Sequence, residues 1–199
     1  MSTNVLAGVD AAYDSNLGLT LAAAVVWDPR SGGVVEHHVA LARTPAPYVP
    51  GRFAEREAGV SVAALRALKI RPAAVLCDAH GRAHPRQWGL ACELARATGW
   101  PTVGCAKSLL CGQHGAVAPV RGAWADIELE GEIVGRVLRT QENVRPVYVS
   151  VGGYIELDTA AHTVLQAAPH FRLPEPLRLA HRYARAALTM VLARLRTAE

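Results

Sequence analysis

A mixed α/β fold, with one sheet flanked by helices, is what this chain of 199 residues predicts. Three observations carry that expectation. Apolar runs of strand length follow one another near the start, parted by turn residues. A strand–helix–strand pattern then occupies residues 73–106, the signature of parallel strands joined by a crossover helix. A long amphipathic helix closes the chain.

Val5 to Asp10 reads as the first strand and Leu19 to Trp27 as the second. Asp28-Pro29-Arg30-Ser31-Gly32-Gly33 is a turn, and Val34 to Ala40 forms a third strand, giving an antiparallel meander. The segment from Thr44 to Gly51 carries Pro45, Pro47 and Pro50, which excludes a helix interior or a central strand. Helical spacing of Val62, Leu65 and Leu68 predicts a helix from Glu55 to Leu68, stopped by Pro72. Ala73 to Cys77 is a buried strand. Pro85 to Thr98 reads as a helix with Pro85 in its first turn and Gly99 at its C-cap. Thr102 to Ala106 completes the βαβ unit. Trp124 to Leu138 alternates like a hairpin turning at Glu130-Gly131, and Val147 to Val151 is a last strand closed by Gly152-Gly153. After Pro174 and Pro176 a helix runs to about Arg196, with Leu179, Tyr183, Ala187 and Met190 as its apolar stripe and Arg178, Arg182 and Arg185 nearer water. An antiparallel meander joined to parallel βαβ units, with acids at strand ends, predicts a ribonuclease H-like mixed sheet in one domain over residues 1–199.

Composition narrows the function classes. Hydrophobic residues make up 51% and charged residues 19%, which excludes a disordered chain. The net charge of +4 is compatible with a polyanion partner. All but Lys69 and Lys107 of the 21 basic residues are Arg, a bias that a high-GC genome also produces. Cys77, Cys92, Cys105 and Cys111 lack Cys-x-x-Cys spacing, so reduced thiols in a cytoplasmic protein are expected. No signal peptide and no apolar run of about 18 residues is present, so no membrane association is expected.

The chemistry rests on acids. Asp10 and Asp78 each follow an apolar strand, and Glu57 lies near a helix start. Carboxylates at neighbouring strand ends form a hard-oxygen site for Mg²⁺ or Mn²⁺, the equipment of a phosphodiester hydrolase. Taken singly, Asp10 is a solvated loop acid, Asp78 a turn or N-cap residue and Glu57 a surface helix acid; only in combination do they point to a metal site. Pro47-Tyr48-Val49-Pro50-Gly51 is a stiff loop whose aromatic can stack on a base or wedge into a duplex, or pack beneath its own turn. His80-Gly81-Arg82-Ala83-His84-Pro85-Arg86 is polar directly after a strand. There Gly81 allows close backbone approach, and His84 and Arg86 can hold phosphates. His80 and His84 are four apart, but the loop context argues against a zinc pair. Lys107 at a strand end can steady a phosphate or stand as a surface Lys, and His181 can serve a phosphate, a metal or only the fold.

Taken together these segments resemble the endonuclease V family of inosine-specific nucleases. Seven stretches agree in order. They are Gly8-Val9-Asp10; Pro47 to Gly51 with Arg56-Glu57; Asp78 with His84-Pro85-Arg86; Pro101-Thr102-Val103-Gly104 with Ala106-Lys107-Ser108; Leu138-Arg139-Thr140; Pro146-Val147-Tyr148-Val149-Ser150; and Arg172-Leu173-Pro174-Glu175-Pro176 with Ala180-His181. The resemblance implies that Asp10 and Asp78 ligate the metal, Mg²⁺ with Mn²⁺ as a substitute. It implies that Glu57 and His181 complete the metal and water environment and that Lys107 contacts the cleaved phosphate. Pro47, Tyr48, Val49 and Pro50 would form the wedge, with His84 and Arg86 on nucleic acid. Gly81, Leu90 and Leu110 would line the base pocket, with backbone amides near Gly81 reading the extruded base. The implied activity is a nick at the second phosphodiester bond 3′ to deoxyinosine in DNA, leaving 3′-OH and 5′-phosphate, in repair of deaminated adenine. Inosine in RNA, a non-catalytic inosine-binding module and a junction nuclease are the rivals. A monomer is expected. The chain departs from the family pattern at Ala79, where Gly is common, at Glu93, where His is frequent, and at Val151-Gly152-Gly153, which replaces Pro-Gly-His. The segment ahead of Val5 is also shorter than the helical one usual in the family.

Overall fold

The computed structural model describes residues 4–43 and 53–197. Strands β1 (Leu6–Asp14), β2 (Leu19–Asp28) and β3 (Gly33–Arg43) form the antiparallel meander. Each is longer than the apolar runs suggest. β1 continues past Asp10 because pairing with β2 holds to Asp14↔Leu19, where Asp14 Oδ1 accepts the Asn16 and Leu17 amides and closes the turn. Helix α1 (Phe53–Arg66) leads to β4 (Ala74–Cys77), then α2 (Leu90–Thr98) and β5 (Thr102–Ala106). β4 pairs in parallel with both β1 and β5, the expected crossover arrangement. Short β6 (Gln113–His114), the hairpin β7 (Trp124–Leu129) and β8 (Glu132–Leu138), and β9 (Val147–Gly153) complete one nine-stranded sheet. Its order is β3-β2-β1-β4-β5-β9-β8-β7-β6. Helices α3 (Leu157–Ala167) and α4 (Glu175–Thr197) follow.

The sheet separates two apolar layers. Val5 and, in β1, Ala7 and Val9 pack with Val60, Ala64 and Leu65 of α1 and Leu90 and Leu94 of α2. On the other face Leu6, Leu76 and Val103 pack with Ala160 and Val164 of α3 and Leu177 of α4, and Leu21 and Ala23 meet Ala184 and Leu188. This two-faced mixed sheet is the ribonuclease H-like architecture expected.

Several local expectations need correction. α2 starts at Leu90, not Pro85. Residues 82–88 are held in turns by His84 N–H to Arg82 O (2.7 Å) and Gln87 N–H to His84 O (2.6 Å), and Gln87 adopts φ +47°. Gly99 does cap α2, at φ +69°. Gly152 and Gly153 belong to β9, since Gly153 still pairs with Thr102. Helix α3 was not anticipated; its buried Ala160, Ala161, Val164 and Ala167 have helical spacing but little bulk. The buried stripe of α4 is Leu177, Ala180, Ala184 and Leu188; the expected Leu179, Tyr183 and Ala187 are half-buried at its edge, and Met190, at 59% exposed, falls outside it. The hairpin turns at Glu130 (φ +54°) and Gly131 (φ +85°), as the sequence implies.

Candidate active site

Sheet register brings the two acids together. Gly8 of β1 pairs with Leu76 of β4, so Asp10 and Asp78, each two residues on, project from the same face of adjacent strands. Adjacent strands lie about 4.8 Å apart, which leaves the two carboxylates close enough to repel. Leu76 pairs with Val103 of β5, and Lys107 shares the face parity of Val103 and Cys105. Lys107 Nζ forms an ion pair with Asp78 Oδ2. Asp10 thus stands inside β1 and not at its end; what ends beside it is β4.

The same face receives α4. A Cβ on Gly8 would lie 2.0 Å from Pro176 O, so the absent side chain is what lets the start of α4 sit directly on β1. With Pro176 over Gly8, His181 comes to Asp10. His181 Nδ1 lies 2.8 Å from Asp10 Oδ2, and the Ala11 amide donates to Asp10 Oδ1 at 2.9 Å. Burial raises the Asp10 carboxyl above its ordinary range. The His181 hydrogen bond opposes that rise, the Asp78 charge adds to it, and the net shift is upward.

That electrostatic state fits a divalent cation. Two hard carboxylate groups share one spot, and one is destabilised by burial and by the other. Among the described residues no group of three His, Cys, Asp or Glu side chains is gathered as a ready cage. Asp10 and Asp78 offer the hard carboxylate oxygens that Mg²⁺ takes beside water and substrate oxygens.

Glu57 is buried on α1, which packs on the sheet face opposite α4. Pro47, Tyr48, Val49 and Pro50 lie outside the described residues. The three residues assigned to a base pocket are held differently from one another. Gly81 donates its amide to Ser150 Oγ at 2.8 Å, and a Cβ there would meet Val151 O at 2.2 Å, so its glycine character serves strand packing and its amide is already engaged. Leu90 is in the core beside α1, and Leu110 is 51% exposed. In the loop after Asp78, His84 Nδ1 accepts the Arg86 amide at 3.2 Å, and burial followed by the Arg86 charge lowers the His84 imidazole pKa. Burial, followed by the His84 charge, pushes His80 down to about 4, so its ring is neutral at pH 7. The four cysteines are free thiols; Cys77, Cys92 and Cys105 are buried and Cys111 is half-buried.

Some supporting groups had no assigned role in the sequence reading. Arg172 Nη2 donates to Lys107 O (2.6 Å) and Pro146 O (2.8 Å), tying the end of β5 to the start of β9 beside the acids. Thr140 Oγ1 donates to Arg172 O at 2.6 Å. Arg172 stands in a recognisable motif, but a carbonyl-clamping Arg has no composition signal of its own.

The family model described as endonuclease V matches residues 1–182. This chain belongs to the endonuclease V family. An endonuclease V of Roseiflexus castenholzii is 46% identical over 175 residues, covering 88% of this chain and 78% of that protein. The crystal structure of endonuclease V from Streptomyces avermitilis superposes with a TM-score of 0.90 at 41% identity, covering 96% of this chain and 83% of that one. Ciona intestinalis endonuclease V shares the fold, with a TM-score of 0.80 and 24% identity over 96% of this chain and 88% of that one. That protein is in complex with a 24mer DNA containing an inosine followed by a ribo-adenosine. Endonuclease V membership makes the chain a nuclease that hydrolyses phosphodiester bonds. No described helix is long and apolar enough to cross a membrane.

Proposed function

We propose that this endonuclease V is Mg²⁺-dependent and nicks DNA at the second phosphodiester bond 3′ to deoxyinosine, leaving 3′-OH and 5′-phosphate ends, in repair of deaminated adenine. The observation that carries the reading is the placement of Asp10 and Asp78 side by side, one residue beyond the last β1–β4 pair Val9↔Cys77, flanked by His181 and Lys107. Asp10 and Asp78 would hold the ion. When bound there, Mg²⁺ makes water a usable nucleophile at neutral pH and stabilises the charge that builds on the phosphate. His181 fixes the orientation of the Asp10 carboxylate through its Nδ1 contact. Lys107, half exposed and paired with Asp78, would contact the scissile phosphate when Asp78 serves the ion instead. Glu57 is assigned to the water environment and Tyr48 to the wedge. Flipping inosine out of a duplex costs a few kcal/mol and is cheapest where the base is mispaired.

The DNA reading is supported by the Ciona relative, whose DNA carries inosine. The ribo-adenosine that follows that inosine gives the RNA reading its own support, since a 2′-OH contact distinguishes the sugars. Cleavage mapping tests both. End-labelled DNA and RNA strands, each with one inosine, are incubated with Mg²⁺ and run against sequence ladders. A nick one nucleotide beyond deoxyinosine, faster in DNA than in RNA, is expected. Faster RNA cleavage would assign the ribonuclease activity, and inosine-dependent binding with no cut in Mg²⁺ or Mn²⁺ would leave a binding module.

A further inference from the structure

We propose that Trp88 is a stacking platform for an unpaired base of the substrate strand, which adds a strand-binding contact to the nuclease site just described and rests on that reading. The loop from Asp78 to Gly89 leaves the C-terminal end of β4, at the end of the sheet where the paired carboxylates lie. Trp88 is the last side chain before α2, and it is 50% exposed. Such a large indole has a core alternative, yet it stays out of both apolar layers.

Its position is built. The Trp88 indole N–H donates to Glu93 Oε2 at 3.4 Å. Glu93 is in turn held by the Arg96 guanidinium, whose Nε donates to the same Oε2 at 3.2 Å. An indole N–H bond lies in the ring plane, so it fixes the edge and leaves the π-face for a partner. The backbone on either side is equally fixed. Gln87 is in the left-handed region, Gly89 N–H donates to Gly81 O at 3.0 Å, and Ala91 N–H donates to His80 O at 3.1 Å. Gln87 Nε2 also reaches Glu132 Oε2 on the neighbouring hairpin at 3.2 Å. A rigid, half-exposed aromatic loses little conformational freedom when a base stacks on it.

The occupant follows from the neighbours. Arg82 and Arg86, both exposed, lie in the same loop as Trp88; Arg82 Nη2 donates to Gln87 Oε1 at 3.2 Å, next to Trp88 in the chain, and lies 3.9 Å from Glu132 Oε2, an exposed pair that a phosphate can replace. Basic groups interleaved with an aromatic form a single-strand binding surface. Glu93 does not oppose this, because the Arg96 ion pair offsets its charge. The acid at this position, where the family more often has His, thereby acquires a purpose: it orients Trp88.

The test measures single-turnover nicking of a DNA strand with one inosine in Mg²⁺, against protein concentration. Wild type, Trp88→Ala, Trp88→Phe and Glu93→Gln are compared at several salt concentrations. Removal of a base-stacking aromatic should raise the half-saturating concentration of Trp88→Ala on the order of 10-fold, with the maximal rate within about two-fold. Trp88→Phe should restore most of the affinity and Glu93→Gln should lose part of it. The slope of log affinity against log salt should stay that of wild type for Trp88→Ala, because no phosphate contact is removed. Unchanged half-saturation in Trp88→Ala, with wild type active, overturns the stacking role alone. A wild type that does not nick the inosine strand overturns the nuclease reading, and this inference with it.

Discussion

Asp10 carries an electrostatic burden that its neighbours only partly relieve. Its folded carboxyl is raised by burial first and by Asp78 after the opposing His181 contact. A raised acid binds its proton more tightly folded than unfolded, so this group's contribution to stability falls as pH rises through the carboxylate range. Asp10→Asn keeps an acceptor for the Ala11 amide and removes the buried charge. Its thermal midpoint at pH 7 without divalent ions should equal or exceed that of wild type, while nicking is lost. A large drop in midpoint would mean the charge stabilises the fold. Lys107 gives the converse case. Its pair with Asp78 is half exposed on the Lys side, and such a pair contributes about 0–1 kcal/mol. Lys107→Met should therefore melt near wild type but cleave on the order of 10²-fold more slowly, as expected for loss of a group that stabilises transition-state charge. Single-turnover rates and calorimetry on the same preparations check both.

At the scale of elements, Gly8 governs how α4 meets β1. Any side chain there drives into the Pro176 carbonyl. Gly8→Ala should destabilise the protein by about 3 kcal/mol or more and should part His181 from Asp10, so activity falls further than the folded fraction does. Denaturant unfolding with activity measured at matched folded fractions reads this out. Glu36 plays a comparable part between β3 and the end of α1. Its carboxylate accepts the Lys69 and Ile70 amides at 2.8 and 2.9 Å. Burial pushes the Glu36 carboxyl up, the two amides and His38 outweigh it, and the net shift is downward. A lowered acid stabilises the fold above its unfolded pKa and loses that stabilisation as pH falls through the folded value. Wild type should accordingly lose more of its melting temperature than Glu36→Gln as pH is lowered below the ordinary carboxylate range.

These elements also show what the sequence could convey. The apolar runs of β2, β4 and β5 are dense enough to announce buried strands, and the parity of Leu76-Asp78 and Gly8-Asp10 is written in the chain. Register is not: that Gly8 faces Leu76 is decided by tertiary packing. α3 has only a faint signal in the sequence because its buried face is mostly alanine. The start of α2 is masked in the sequence because the His84-Pro85-Arg86 segment looks like a first turn, whereas hydrogen bonds to Gly81 and His80 hold its approach in a loop. Gly81 was legible as a close-approach glycine, but not that its amide is committed to Ser150.

Across the whole molecule the C-terminal end of β4 and β5 collects the chemistry. Asp78, the Arg82–Trp88 loop and Lys107 leave the sheet there, and α4 brings His181 to Asp10. The opposite end holds a cavity of about 500 Å³ lined by Ala73, Pro101, Tyr154, Ile155, Glu156 and Thr159, away from the acids. A substrate strand is thus expected to cross one pole only, which makes binding sensitive to Arg82 and Arg86 and indifferent to Tyr154. The most direct measurement compares wild type with Asp78→Ala on matched DNA strands carrying inosine or adenine, in Mg²⁺ and in EDTA. Cleavage is expected only by wild type, only of the inosine strand and only with Mg²⁺. Equal cleavage by Asp78→Ala, or cleavage by wild type that persists in EDTA, would contradict a metal site built on the two paired carboxylates.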